Sequence, residues 1–180
     1  MGQSKLEPLT NEKLGENLAV FAINRDDLKE IMAAMPDDGN INLTRVEYEL
    51  QILKILSVGW AMAFYMRTGE DKQQSTMVFW ERIRDISGNI STLAESSTGK
   101  SIDYFNILKT RLDQYLKIMQ ENQEGAVEPT QIIGPAFADA CNCPGNAVVI
   151  LAGTKMMTMT LGAVKEYLDA VEIVSTPLHS

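Results

Sequence analysis

The chain has 180 residues, of which 45% are hydrophobic and 22% charged, so it can bury a substantial core without disulfide staples. Its net charge of -8 and pI near 4.7 argue against nucleic acid or an anionic membrane as the main partner, because both attract clustered Lys and Arg. Two cysteines and one histidine are too few for a disulfide framework or a His-rich metal centre.

The N-terminal sequence MGQSKLEPLTNEK has no apolar segment, so no secretory signal is predicted. Two apolar stretches, 50–66 and 147–164, approach the length of a membrane span. Lys54 and Lys155 interrupt them, and neither leaves a clean run near the roughly 20 residues that a span requires. We therefore expect a cytoplasmic protein without a membrane partner.

Apolar residues recur at heptad spacing over 14–35, with Arg25 on one position of the seam. This pattern predicts one helix with a bend, and the alternative is a break near Asn24 with a restart at Asp26 or Asp27. The sequence PDDGN at 36–40 has the residues of a turn. Asn42 follows it and is predicted to cap the next helix.

The stretch 42–67 is the segment around which the fold is expected to form. Its first half is amphipathic, whereas Ile55 to Met66 carries no charge on any side. A helix that is apolar all round must be covered all round, so this half is predicted to be the centre of a bundle. We expect it to pack on the last helix, with Gly59 near Gly153 or Gly162.

Strand signals are poor throughout, because no β-branched stretch alternates between two turns. The remaining helices are predicted at 75–95, 102–122, 136–142 and 146–174, the third of them short. The predicted fold is all-α, a single-domain helical bundle over 1–180 with about five long helices and one short helix. Residues 1–10 are expected to be loosely ordered and 175–180 to form a mobile tail.

Cys141-Asn142-Cys143-Pro144 is the most unusual local motif. The two thiols can be buried apolar filler in a short helix, which is the favoured interpretation. They can also form a redox pair, or bind Cu(I) or zinc, and three methionines in the last helix fit Cu(I) chemistry. A metal or redox site at Cys141 and Cys143 is therefore kept as an alternative.

No arrangement of residues predicts catalysis, because a hydrolase triad needs a histidine and His179 is poorly placed for one. No catalytic residue and no cofactor are expected. Trp60, Phe64 and Trp80 could line an apolar pocket for a small ligand, although such aromatic clusters are more often core.

The favoured hypothesis is a non-enzymatic helical protein that acts through helix-mediated self-association, as a homodimer, or through binding another protein. The predicted apolar helices need more cover than the two one-sided helices supply, and a two-fold interface is the commonest way to provide it. Two alternatives stay open: a thiol redox or soft-metal protein using Cys141 and Cys143, and a helical bundle that binds a small apolar ligand.

Overall fold

A computed structural model describes residues 8–122, 125 and 128–174, and it confirms the all-α fold. Within the described residues the chain forms seven helices and no strand, with one isolated β-bridge between Leu9 and Ile173. The helices are α1 (Asn11–Ile23), α2 (Asp26–Ala33), α3 (Leu43–Tyr65), α4 (Glu70–Thr98), α5 (Tyr104–Glu121), α6 (Pro129–Ala140) and α7 (Ala147–Ala170). The predicted tail at 175–180 and most of the predicted loose lead-in lie outside the described residues.

The chain divides into two compact units. The first comprises the described parts of 1–22, 58–105 and 161–180, and the second comprises 23–57 and the described parts of 106–160. Both α3 and α7 contribute to each unit, the first half of each helix to the second unit and the remainder to the first. The single domain over 1–180 stays a prediction.

In the first unit, a buried polar cluster joins the beginnings of α1 and α4. The Asn11 amide nitrogen donates to Asp71 Oδ1 at 2.8 Å and to Gln74 Oε1 at 2.9 Å. Its Oδ1 accepts from the Ser75 hydroxyl at 3.3 Å. These bonds satisfy an amide that is almost fully buried, as a buried polar group requires.

Two glycines of the first unit let other groups come close. A Cβ on Gly15 would lie 2.7 Å from the Ser75 carbonyl oxygen, and one on Gly59 would lie 2.6 Å from Trp80 Cζ2. Gly59 therefore contacts an aromatic ring. The sequence predicted Gly153 or Gly162 as its neighbour, and this prediction was wrong. Gly153 packs on Phe137 in the second unit, and nothing lies within 4 Å of the Cβ position of Gly162.

In the second unit, a fully buried lysine explains why the first predicted helix is two helices. Lys54 Nζ donates to the Asn24 backbone oxygen at 2.7 Å and lies 3.0 Å from Asp27 Oδ2. It thereby binds a carbonyl at the end of α1 and a carboxylate in the first turn of α2. Because α1 ends at Ile23 and α2 begins at Asp26, the favoured prediction of one bent helix was wrong. The lysine that binds at this break comes from α3, about thirty residues further along the chain, so the local sequence did not indicate it.

Two predicted helix starts also shift. α4 begins at Glu70, so most of the expected polar connection before residue 75 is helical. α6 begins at Pro129, where a missing N–H costs nothing, and it continues through Pro135.

Among the described helices, α7 is long and apolar enough to cross a bilayer by length and composition alone, a test that buried helices of water-soluble cores also pass.

Candidate functional site

A cavity of about 330 Å³ lies in the second unit, between side chains of α3, α5 and α6. Its volume is at the lower end of the roughly 300–1,000 Å³ typical of small-molecule sites. Its lining combines charged and apolar groups: Arg45, Arg111, Gln114, Tyr115, Ile118, Ala136, Asp139 and Ala140.

One wall of the cavity is held by a buried ion pair between α3 and α5. Arg111 donates from Nε to Glu49 Oε2 at 2.9 Å and from Nη2 to Glu49 Oε1 at 2.6 Å. Its Nη1 donates to Gln114 Oε1 at 2.6 Å. The Glu49 side chain is 1% exposed and that of Arg111 17%, so both charges are largely removed from water. The fork geometry fixes the guanidinium, and the carboxylate neutralises it.

A second arginine is held beside the end of α6. Arg45 Nε donates to the Ala140 backbone oxygen at 2.8 Å, one of the carbonyls that a helix C-terminus leaves without an intrahelical partner. Within the part of the chain that the structure describes, the two terminal nitrogens of Arg45 have no hydrogen-bond partner. One bond therefore orients this guanidinium and leaves its outer edge available to the cavity.

The remaining lining supplies one negative charge and an apolar side. Asp139 lies in the last turn of α6 and forms no ion pair with any described residue. Ile118 and Ala136 contribute apolar surface. Burial, and after it the nearby Glu49 carboxylate, raises the pKa of Tyr115 well above its ordinary value, so this phenol is neutral at physiological pH.

The predicted cysteine site lies just after α6. Cys141 is buried and Cys143 half-buried, both thiols are free, and Cys143 Sγ lies 3.5 Å from the Cys141 carbonyl oxygen. Burial, followed by the neighbouring Glu49 carboxylate, raises the pKa of Cys141 to about 12. A thiol with this pKa is protonated at neutral pH, whereas redox exchange and metal binding need the thiolate. No group of three or more metal-ligating side chains occurs among the described residues. The redox or metal role stays a prediction, and this pKa weighs against it.

The three aromatic residues of the predicted apolar pocket lie in the first unit in different environments. Trp60 is buried, whereas Phe64, one turn later on α3, is more than half exposed. Trp80 packs against Gly59 and forms an edge-to-face pair with Phe79, with ring centroids 4.9 Å apart. These contacts account for Trp80 as a packing residue, and the pocket stays a prediction.

The ion pair beside the cavity contains a residue whose burial sequence reasoning missed. Glu49 lies in the amphipathic first half of the stretch 42–67 and was not predicted to be buried. A signal was present, since Glu49 is three residues after Val46 and four before Leu53, both fully buried, and therefore shares their helical face. Its partner Arg111 is 62 residues away in sequence, and no local pattern indicates that pairing.

The arrangement in the cavity can bind a ligand through fixed charges, and its described residues offer no nucleophile–base pair for catalysis. Comparison with models of protein families, with curated proteins and with solved structures finds no match for this chain.

Proposed function

We propose that this chain is a non-enzymatic helical protein that acts by self-association through a surface of the first unit. The observation that supports the proposal is an abrupt change along α3. Residues 52–62 are all buried, and the next three, Ala63 to Tyr65, are exposed. Phe64 is 54% exposed and Tyr65 40%. This buried run of α3 therefore ends in two uncovered aromatic side chains.

These two rings and one lysine form a patch, which we call the aromatic patch: Phe64, Tyr65 and Lys165. The ring centroids of Phe64 and Tyr65 are 6.5 Å apart, at an interplanar angle of 82°. Lys165 Nζ lies 6.0 Å from the centroid of the Tyr65 ring and 2.7 Å from Asp169 Oδ2. Exposed aromatics that are bordered by charged groups are typical of the centre of a protein interface.

A second copy of the chain fits this patch better than an unrelated partner. The border of the aromatic patch carries both signs of charge, on Lys165 and Asp169, within one helical turn of α7. A two-fold axis brings the same surface of each copy together, so the lysine of one protomer can face the aspartate of the other. Gly162, on the same face of α7, has open space where a side chain would be, which allows close approach.

The exposed apolar area of the two rings is large enough to contribute substantially to the stability of a dimer. Aromatic side chains bury about 150–250 Å² each, so the exposed fractions leave roughly 200 Å² of the two rings uncovered. At about 25 cal/mol per Å², covering that area contributes up to about 5 kcal/mol per protomer before the cost of association. Loss of both rings should therefore weaken a dimer at least about a hundredfold.

The test is the molar mass in solution, measured by size-exclusion chromatography with light scattering at micromolar concentration. We expect a dimer of twice the 20.0 kDa chain mass, and a monomer for the double variant Phe64→Ser, Tyr65→Ser. The matched control is Leu93→Ser, which removes another exposed apolar side chain from the first unit and should remain dimeric. A wild-type chain that elutes as a clean monomer contradicts the proposal.

Salt dependence provides a second test of the same surface. Two copies that each carry a charge of -8 repel one another, and added salt screens this repulsion while leaving an apolar contact intact. The dimer should therefore become tighter as NaCl rises from about 50 to about 500 mM. Dissociation of the dimer by salt would indicate an interface held mainly by its charged border and not by Phe64 and Tyr65, contrary to the proposal.

A further inference from the structure

We propose that the cavity of the second unit binds a small zwitterion, an α-amino acid with an aliphatic side chain. The proposal is independent of self-association, which concerns the first unit. Nothing in the sequence predictions assigns a ligand to this cavity. The argument rests on the balance of charge among its lining residues, on their placement and on its volume.

The charges of the lining residues do not all cancel locally. The Arg111 charge is neutralised by its two hydrogen bonds to Glu49. Arg45 and Asp139 remain, one positive and one negative. They do not form an ion pair with one another, and neither has an ion-pair partner among the described residues. The lining therefore presents one positive and one negative group, a half-buried Arg45 and an exposed Asp139, and neither is paired with another described side chain.

Arg45 is already placed to receive a carboxylate. Its Nε is engaged by the Ala140 carbonyl oxygen at 2.8 Å, which fixes the plane of the guanidinium. The two terminal nitrogens remain, and a planar pair of N–H donors matches the two oxygens of a carboxylate. Because the protein has already oriented the guanidinium, a ligand loses less entropy on binding.

Asp139 is an exposed carboxylate in the cavity lining, and the helix that carries it slightly disfavours its charge. It lies in the last turn of α6, where the helix dipole disfavours a negative charge, and that turn contains no basic residue. An ammonium group beside Asp139 would remove this cost. A simple anion such as phosphate would instead be repelled by Asp139, so the pair of charges favours a zwitterion.

The remaining lining sets the character of the side chain. Ile118 and Ala136 provide apolar surface, and the cavity of about 330 Å³ limits the ligand to a small molecule. A branched aliphatic side chain fits this surface. L-leucine is therefore the probe of choice, with the carboxylate facing Arg45 and the ammonium facing Asp139.

The experiment is isothermal titration calorimetry of the full chain at pH 7 with three probes. L-leucine is compared with 4-methylpentanoate, which lacks the ammonium, and with 3-methylbutylamine, which lacks the carboxylate. We expect L-leucine to bind and each analogue to bind at least tenfold more weakly, since each loses one charge-assisted hydrogen-bonded contact. No heat from L-leucine up to about 10 mM overturns the proposal, because even millimolar affinity would be detected there. Equal affinity for L-leucine and 4-methylpentanoate also overturns it.

Two variants locate the site, each with a matched control on the exposed side of α5. Asp139→Asn should weaken L-leucine at least tenfold, whereas Asp113→Asn should leave its affinity unchanged. Arg45→Gln should abolish detectable binding, whereas Lys117→Gln should not. Far-UV circular dichroism checks that Arg45→Gln still folds, since that side chain also binds α6. Asp139 makes no such contact, so undiminished binding by Asp139→Asn refutes the proposal whatever the other variant does.

Discussion

Replacement of Glu49 by glutamine should be among the most destabilising single changes in the second unit. The substitution keeps the size of the side chain and removes the charge that neutralises Arg111. Both carboxylate oxygens accept from that guanidinium, at 2.9 and 2.6 Å, and the two side chains are only 1% and 17% exposed. Loss of one partner of a buried pair typically costs about 3–5 kcal/mol, because the other charge is left buried without compensation.

The cost is measured by urea unfolding followed by far-UV circular dichroism. With a slope of about 2 kcal/mol per M, Glu49→Gln should lower the midpoint by roughly 1.5–2.5 M. The melting temperature should fall by roughly 6–20 °C for a chain of this length. Far-UV circular dichroism follows all helices, whereas both tryptophans lie in the first unit and would miss a local loss in the second.

The same helix supplies the control. Glu47, two residues earlier, pairs with Arg25, and both of these side chains are about half exposed. Such a surface pair contributes about 0–1 kcal/mol, so Glu47→Gln should scarcely move the midpoint. If Glu49→Gln lowers the free energy of unfolding no more than Glu47→Gln does, the Glu49–Arg111 pair is not shielded from water.

A double replacement separates the ion pair from the space it fills. The variant Glu49→Leu, Arg111→Met removes both charges and keeps apolar volume in their place. Exchange of a buried pair for apolar side chains is often neutral or stabilising, so this variant should recover most of the stability that Glu49→Gln loses. A double variant less stable than Glu49→Gln would contradict this account.

Two further predictions concern glycines and thiols. Gly59→Ala should destabilise the chain by about 1–3 kcal/mol, because its Cβ would lie 2.6 Å from Trp80 Cζ2. Gly88→Ala has nothing within 4 Å of the new Cβ and should stabilise the chain by about 0.5–1 kcal/mol. Equal urea midpoints for the two variants would refute this difference. Iodoacetamide at pH 8 should label Cys143 and spare Cys141 until the chain unfolds, and labelling of both in the folded protein would contradict the buried thiol. Burial raises the folded-state pKa of Cys141 to about 12, so the stability that this thiol contributes is complete below the ordinary thiol pKa and is lost as pH rises toward 12. The variant Cys141→Ala should lose less stability over the same rise in pH.

Sequence periodicity and capping residues determined the fold class and most helix positions. The N-cap prediction at Asn42 is confirmed, since its Oδ1 accepts from the Arg45 backbone N–H at 3.1 Å. The start of the last helix is confirmed in the same way by Asn146, whose Oδ1 accepts from Val148 and Val149. These features depend on contacts within four residues, which a sequence displays directly.

The tertiary structure alone decided which polar side chains are buried and with which partners. Lys54 and Glu49 are both charged residues of the half-helix that the sequence shows to be amphipathic. Each is buried against a partner from another part of the chain, Asp27 and Arg111 respectively. The helical pattern of one segment contains no information about a charge that arrives from another. For the same reason the sequence indicated that the second half of α3 is uncharged and apolar on every side, and only the folded structure revealed that its last turn leaves Phe64 and Tyr65 uncovered. Burial is a property of what packs around a helix, and that is settled only when the whole chain has folded.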